Sequence, residues 1–385
     1  MRVLHIGKYY PPVPGGMEYF LRDLLVALNR KGISVGALVH QHKAGLPSSY
    51  EPVEKIPVWR AKILGRVRFV PVVLSFQNRL IECIRKFKPD ILHFHMPNAS
   101  AFLALCIPQA RKIPWVVHWH SDVIPSGFNM LMKILYPGYG AIEQIFLRKA
   151  KVVIATSPDY LNASNVLKKF RSKCSVIPLG IDRERLSRSK NSLAIQWAEQ
   201  VWGSTSFRLL SVGRLTYYKG FDLLIKAMVH LPENISLHIV GTGVMEKFLK
   251  SLAQKSGVQE RVVFHGYLTD EYLSALFSTC DCFVLGSFER TEAFGIVLLE
   301  AMWHEKPIIA GNIKGSGVRW IMGKAGCGLL FEPRNVMDCV SKILWMKNHP
   351  AEAAQYGKSG RTFLEDNLLI DHIANKVVSI YETLT

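Results

Sequence analysis

Glu289-Arg290-Thr291-Glu292-Ala293-Phe294-Gly295-Ile296-Val297-Leu298-Leu299-Glu300-Ala301-Met302 sets two carboxylates eight residues apart across the start of a helix. Just upstream, Asp281-Cys282-Phe283-Val284-Leu285-Gly286 is a short apolar run closed by glycine, which reads as a buried parallel strand. Helix formers run from Ile296 to Met302, so Glu292 falls in the loop and Glu300 in the second helical turn. Gly295 at the helix mouth lacks a Cβ and permits close approach to the backbone. The free N–H groups of Gly295 and Ile296 and the positive end of the helix dipole favour anions and hydroxyl oxygens. In an open α/β sheet such a corner faces the ligand crevice.

A carboxylate without a cationic partner accepts hydrogen bonds from hydroxyls, and two of them suit a sugar and a ribose held together. The plainer reading makes Glu292 a helix cap and Glu300 a solvated surface residue. The local residues leave both open. The Glu-x7-Glu spacing, with Phe-Gly two residues after the first Glu, resembles the signature of the retaining nucleotide-sugar glycosyltransferases of family 4. The resemblance implies an α/β GT-B fold, two Rossmann-like domains facing a cleft. It also implies that Glu292 binds hydroxyls of the donor sugar together with the Phe294 and Gly295 amides, and that Glu300 binds the ribose.

Other stretches match in order over nearly the whole chain. Residues 3–7 read as a strand, and Gly15-Gly16 opens a helix from about Tyr19 to Asn29. A glycine pair there either presents N–H groups to a phosphate or makes an ordinary turn, and it is not the dinucleotide fingerprint. The resemblance assigns the Gly15-Gly16 loop to the donor diphosphate and the transferred sugar. Trp115-Val116-Val117-His118-Trp119-His120-Ser121-Asp122 is a strand whose alternation places His118 and His120 on one side, with His120 at the crevice end. His120 resembles the family's active-site histidine, which contacts the donor sugar. His93 and His95 read as structural, and no helical H-x3-H spacing supports a metal site.

Ser211-Val212-Gly213-Arg214-Leu215-Thr216-Tyr217-Tyr218-Lys219-Gly220 leads from a strand to two cations five residues apart, enough to neutralise a leaving diphosphate. Its match to the family's Gly-Arg…Lys-Gly motif implies that Arg214 and Lys219 bind that diphosphate. His265-Gly266 ends a strand whose backbone, by the same resemblance, meets the base. No Asp-x-Asp occurs in the sequence, so neither a cofactor nor a bridging metal is expected.

The 385 residues are 49% hydrophobic, enough for two cores. The expected division is 1–182 for an acceptor-binding domain, 183–365 for a nucleotide-sugar-binding domain, and 366–385 for a C-terminal helix returning to the first. Apolar runs are broken well before about 18 residues, so no membrane span is expected, and residues 1–7 are too short for a signal peptide. Seven cysteines without a C-x-x-C pair fit a reducing cytoplasm.

Charge is uneven. Residues 1–190 hold 29 Lys and Arg against 11 Asp and Glu, and residues 191–385 hold 19 against 19. The first half is therefore expected to meet something anionic, such as a lipid headgroup surface or a phosphate-bearing acceptor, and the alternative is a solvated face. No nucleic-acid-binding signature accompanies the charge. Basic residues from Arg60 through Arg66, Arg68, Arg79, Arg85, Lys86 and Lys88 suit a membrane surface or acceptor groove, although a core-packing helix with a solvated face explains most of them. The apolar, methionine-bearing stretch 128–137 suits a lipid tail or plain core.

Together these expectations describe a cytoplasmic enzyme, peripheral at the inner face of the membrane. It would move a hexose, mannose from GDP-mannose foremost, to a lipid-linked saccharide acceptor with retention and without metal. The alternatives are a UDP-hexose donor, a GT-B epimerase or phosphorylase, and a binding protein without catalysis.

Overall fold

Strands buried on both faces alternate with helices throughout, the pattern that a parallel sheet covered by crossover helices imposes. The computed structural model describes residues 1–67, 70–73, 75–123, 130–188 and 191–385. Arg68 in the basic segment, and Phe128 and Asn129 in the methionine-bearing stretch, lie outside the described residues. Two compact units form: Met1–Gly180 with Ile370–Thr385, and Ile181–Leu369.

In the first unit the strands are β1 (Arg2–Ile6), β2 (Ser34–His40), β3 (Ser49–Val53), β4 (Ile56–Ala61), β5 (Gly65–Val67), β6 (Val70–Val72), β7 (Ile91–Met96), β8 (Trp115–Trp119), β9 (Val152–Ala155) and β10 (Cys174–Val176). Eight of them form one sheet in the order β10-β9-β8-β7-β1-β2-β4-β3, and β5 and β6 pair separately. All pairings in the large sheet are parallel except β3 with β4. From β1 the chain builds outward on one side, then crosses to β7 on the other, so the strand order reverses between β1 and β7. That reversal is where open α/β sheets place ligands.

The helix after β1 spans Gly16–Arg30, one turn earlier than the apolar periodicity suggests, because the Gly15 carbonyl accepts from the Tyr19 N–H at 3.0 Å. The last helices are Pro350–Asn367 and Ile370–Glu382, so the C-terminal helix begins at Ile370 rather than at residue 366. Ile370–Glu382 packs in the first unit, with Tyr381 fully buried and Asp371 3.8 Å from Arg30.

The second unit has β11 (Phe207–Val212), β12 (Ile235–Val240), β13 (Val262–Gly266), β14 (Cys282–Leu285), β15 (Ile308–Gly311) and β16 (Gly328–Phe331), all parallel, in the order β13-β12-β11-β14-β15-β16. Its core packs Leu209, Leu237, Ile239, Val284 and Ile309 of the sheet against Leu224, Ile225 and Met228 of the helix Phe221–Val229. Here the order reverses between β11 and β14. The loops after those two strands carry Arg214 with Lys219, and Glu292, with Glu300 on the helix that follows the second loop.

Candidate functional site

In the second unit, backbone proximity assembles the site. Gly220 follows the 3-10 turn Tyr217–Lys219 with φ +66°, and a Cβ there would lie 2.0 Å from the Gly286 carbonyl oxygen. Only glycine lets the two switch-point loops touch in this way. Phe288 N–H donates to the Tyr218 carbonyl at 3.1 Å and fixes their register. The result is that Lys219 Nζ lies 2.5 Å from Glu292 Oε2, both side chains about nine-tenths buried.

This pair corrects the expectation of a carboxylate without a cationic partner. Burial pushes the Lys219 pKa down, but the adjacent Glu292 carboxylate, Tyr218 and the hydrogen bond to Glu292 outweigh it, and the group is held above its ordinary value. Arg214, exposed in the same loop, acts in the opposite direction on Lys219, which places its charge close by. The two cations of this loop thus lie near each other, and Lys219 pairs with Glu292.

Two serines complete the setting of Glu292. The fully buried Ser287 hydroxyl donates to Glu292 Oε2 at 2.9 Å. The Ser316 hydroxyl donates to the Glu292 carbonyl oxygen and accepts from the Val318 N–H at 3.2 Å, capping the helix Gly317–Ala325. Gly317 N–H donates to the Ala293 carbonyl at 2.7 Å. Neither Ser287 nor Ser316 was among the site residues expected from the sequence. The signal for Ser287 was its position directly after Gly286 at the end of an apolar strand.

Phe294 is buried, and Gly295 caps the helix Ile296–Trp303 in the left-handed region at φ +76°. A Cβ on Gly295 would fall 3.0 Å from Val318 Cγ2, so packing against the next helix also requires glycine. The first N–H groups of that helix, at Gly295 and Ile296, lack intrahelical acceptors by geometry. Glu300 lies in the second turn, as expected, but its carboxylate has a cation at 3.9 Å, the buried Arg185, which also sits 3.8 Å from Asp270. Arg185 gave no local signal, because only the fold brings the helix Arg183–Arg188 to Glu300.

His265 stands apart from this group. It ends β13, two strands from β11, and bonds His238 on β12 at 2.9 Å; Gly266 beside it has φ +65° and accepts from the Gly241 N–H at 2.7 Å. Burial lowers the pKa of both histidines, His238 to about 3.

In the first unit, Gly15 lies against the buried Glu18 of the helix it opens, and a Cβ would meet the Glu18 carboxylate. A carboxylate therefore sits beside the glycine pair where a phosphate was expected. His120 follows β8, fully packed, and its ring is 4.5 Å from that of His118 with planes 4° apart, confirming that the two share a face. His5, His93 and His95 join them from β1 and β7. His95 Nδ1 bonds His120 Nε2 at 3.0 Å and His5 Nδ1 bonds His95 Nε2 at 3.0 Å. Two triplets, His5-His93-His95 and His95-His118-His120, bring their nitrogens within 4.8 Å. Within these triplets His95 bonds both His5 and His120 through its two ring nitrogens, while neither nitrogen of His118 has a partner among the described residues.

Burial holds all five neutral: His5 and His120 fall to about 3, and His93, His95 and His118 lie well below their ordinary value. His93 and His95, expected to be structural, are both buried and belong to the group around His120.

Three residues of the basic segment have acidic partners in the same unit. Arg60 is buried, bonding Glu51 at 2.9 Å and the Pro11 carbonyl at 2.9 Å. Arg79 and Lys86 both reach Glu82 on the helix Phe76–Phe87, whose Phe76, Leu80 and Cys83 face the core. Among the described residues no helix is long and apolar enough to cross a membrane.

A family model described as "Glycosyltransferase Family 4" matches residues 14–185, and one described as "Glycosyl transferases group 1" matches residues 196–363. O-antigen chain mannosyltransferase C of Escherichia coli is 30% identical over 100% of this chain and 99% of its own. The chain belongs to glycosyltransferase family 4. Solved structures give this transferase its GT-B fold. Sucrose-phosphate synthase of Thermosynechococcus elongatus superposes with TM-score 0.83 at 22% identity, covering 100% of this chain and 98% of that one. HepE of Anabaena in complex with UDP-glucose gives 0.75 at 18%, covering both chains completely.

Proposed function

We propose that this family 4 transferase moves a hexosyl unit, mannose from GDP-mannose, to a hydroxyl of a lipid-linked or polysaccharide-precursor acceptor with anomeric retention. The observation that carries the reading is the Glu292 carboxylate, held at the switch point of the second sheet by Ser287 and Lys219. A carboxylate fixed in this way accepts hydroxyl donors without losing its orientation. The mannosyl preference is supported by the full-length relative from Escherichia coli.

In this reading Arg214 and Lys219 receive the diphosphate. Lys219 has three N–H donors, and Glu292 occupies one of them. Charge that develops on the leaving phosphate thus meets two cations set in place beforehand. These cations, and a sequence without Asp-x-Asp, support departure of the diphosphate without a bridging metal. Gly295, Ile296 and Phe294 offer backbone N–H groups to the donor, Glu300 takes the ribose and exchanges its long contact with Arg185 for hydroxyls, and His265-Gly266 meets the base. Gly15, Gly16 and His120 act on the donor sugar and diphosphate. Retention follows the family's front-face route, in which the leaving phosphate helps to deprotonate the acceptor. The basic first half supports work at an anionic cytoplasmic membrane face.

The deciding experiment is a thermal-shift panel of nucleotides and nucleotide sugars in chelator, because a ligand selective for the folded state raises its stability. GDP and GDP-mannose are expected to raise Tm. A response to UDP ligands alone moves the donor to a UDP-hexose, as the HepE complex would suggest, and no response to any nucleotide sinks the reading.

A further inference from the structure

The histidines around His120 form more than a cluster. Starting at His120 Nε2, the bonds run to His95 Nδ1, from His95 Nε2 to His5 Nδ1, from His5 Nε2 to the Tyr381 hydroxyl at 3.3 Å, and from that hydroxyl to His93 Nδ1. The ring centroids of His95 and His120 are 5.2 Å apart with planes 18° apart, and those of His5 and His95 are 5.3 Å apart at 28°. With 3.0 Å between nitrogens, those separations are what nearly in-plane, end-to-end imidazoles give. The chain ends on two nitrogens with no partner, His120 Nδ1 and His93 Nε2.

Proton counting couples the members. Each neutral imidazole has one N–H and tyrosine one O–H, so these five groups hold five protons. The four links use four, and the fifth must sit at one end. Only two arrangements exist. Either arrangement leaves a buried N–H without an acceptor among the described residues, at His93 Nε2 or at His120 Nδ1. The two ends differ in setting: His93 lies inside β7 with no exposure, whereas His120 follows β8 at the carboxyl end of the sheet, where a ligand oxygen can supply the missing acceptor.

We propose that this wire holds His120 as an Nδ1–H donor aimed at a hydroxyl oxygen, and that His95, His5 and Tyr381 are positioning residues for that donor. The proposal rests on the reading of His120 as the sugar contact. Tyr381 comes from the C-terminal helix Ile370–Glu382, so that helix supplies the link that joins His5 to His93. His118, stacked on His120 but bonded to nothing among the described residues, stands outside it.

The test is ¹⁵N spectroscopy of the full chain, selectively labelled at histidine, at neutral pH without ligand. Resonances are assigned with His120→Asn and His95→Gln. His120, His95, His5 and His93 should all show a pyrrole-type Nδ1 and a pyridine-type Nε2. An Nε2–H tautomer at His120, or opposite tautomers at His120 and His95, overturns the wire. In Tyr381→Phe the three linked histidines lose their anchor and the His120 signals should move to averaged positions; unchanged signals overturn the role of Tyr381. If that variant fails to fold, the tautomers of the unaltered protein still decide. This spectrum needs no donor, so it stands apart from the donor assignment. Transfer at the unaltered rate by His120→Asn overturns the sugar contact while leaving the tautomer result in place.

Discussion

Both sheets put candidate site residues at the point where their strand order reverses, yet they bury opposite chemistry there. The first holds five histidines that burial keeps neutral, joined through hydrogen bonds. The second holds Lys219 and Glu292 as an ion pair, with the lysine pKa raised rather than lowered. The difference is one of escape routes. A histidine with an ordinary value near neutrality sheds its charge cheaply on burial, whereas a lysine beside a carboxylate gains more from the pair than it loses by desolvation. The first site can therefore direct hydrogen bonds, and the second can stabilise charge on a leaving group.

The largest effect should come from breaking the pair. Lys219→Ala leaves the Glu292 charge buried and unpaired, and about 3–5 kcal/mol of stability should be lost in urea unfolding, together with transfer. The double variant Lys219→Met, Glu292→Gln should recover most of the stability and none of the activity. If the single and double variants are equally stable, the pair is not the buried interaction described here. The sign with pH follows from the raised lysine value. The contribution is intact below 10.5 and is lost only as pH climbs through the still higher folded value, so stability near neutrality should be flat with respect to this group.

The histidine site should respond at the other end of the scale. In the unfolded chain each imidazole protonates near 6.5, while in the fold His5 and His120 wait until about 3. Stability is therefore full above 6.5 and falls as the pH drops from there, by about 1.4 kcal/mol per pH unit for each proton taken up on unfolding. His118→Leu removes one such group without cutting a hydrogen bond. Its unfolding free energy between pH 6 and pH 4 should slope less steeply than that of the unaltered protein by about that amount. Parallel slopes would mean that His118 is already charged in the fold, and the contrast between the two sites would collapse.

The sequence carried the second site better than the first for a physical reason. Arg214, Lys219, Glu292 and Gly295 lie at strand-to-helix corners and Glu300 in the second turn of the helix that follows, where glycine and charge stand out against apolar neighbours. Ser287 was marked only by its place at the end of an apolar strand and Arg185 by nothing local, since a serine after a strand and an arginine on a short helix gain meaning from partners brought by the fold. Of the histidine chain, alternation along β8 gave the shared face of His118 and His120. It could not give the register that sets His5 beside His93, or the return of Tyr381 from the end of the chain. The ion pair itself was missed because the spacing of Lys219 from Glu292 in sequence says nothing about the Gly220–Gly286 contact that joins them.

The finest test of the comparison is Ser316→Ala, because it touches the carboxylate only through the backbone. Ser316 caps a helix and holds the Glu292 carbonyl with a single hydroxyl, and it is fully buried. Loss of the cap should cost about 1 kcal/mol, with a further fraction for the buried carbonyl left short of a donor. Lys219 and Ser287 still grip the Glu292 side chain, so the carboxylate should stay in place and the loss of transfer should be modest, appearing in KM for the donor more than in kcat. A collapse of kcat as complete as that of Lys219→Ala would mean that the backbone of the loop, rather than the ion pair, fixes the carboxylate, and that the two switch points differ in side-chain charge but not in what organises them.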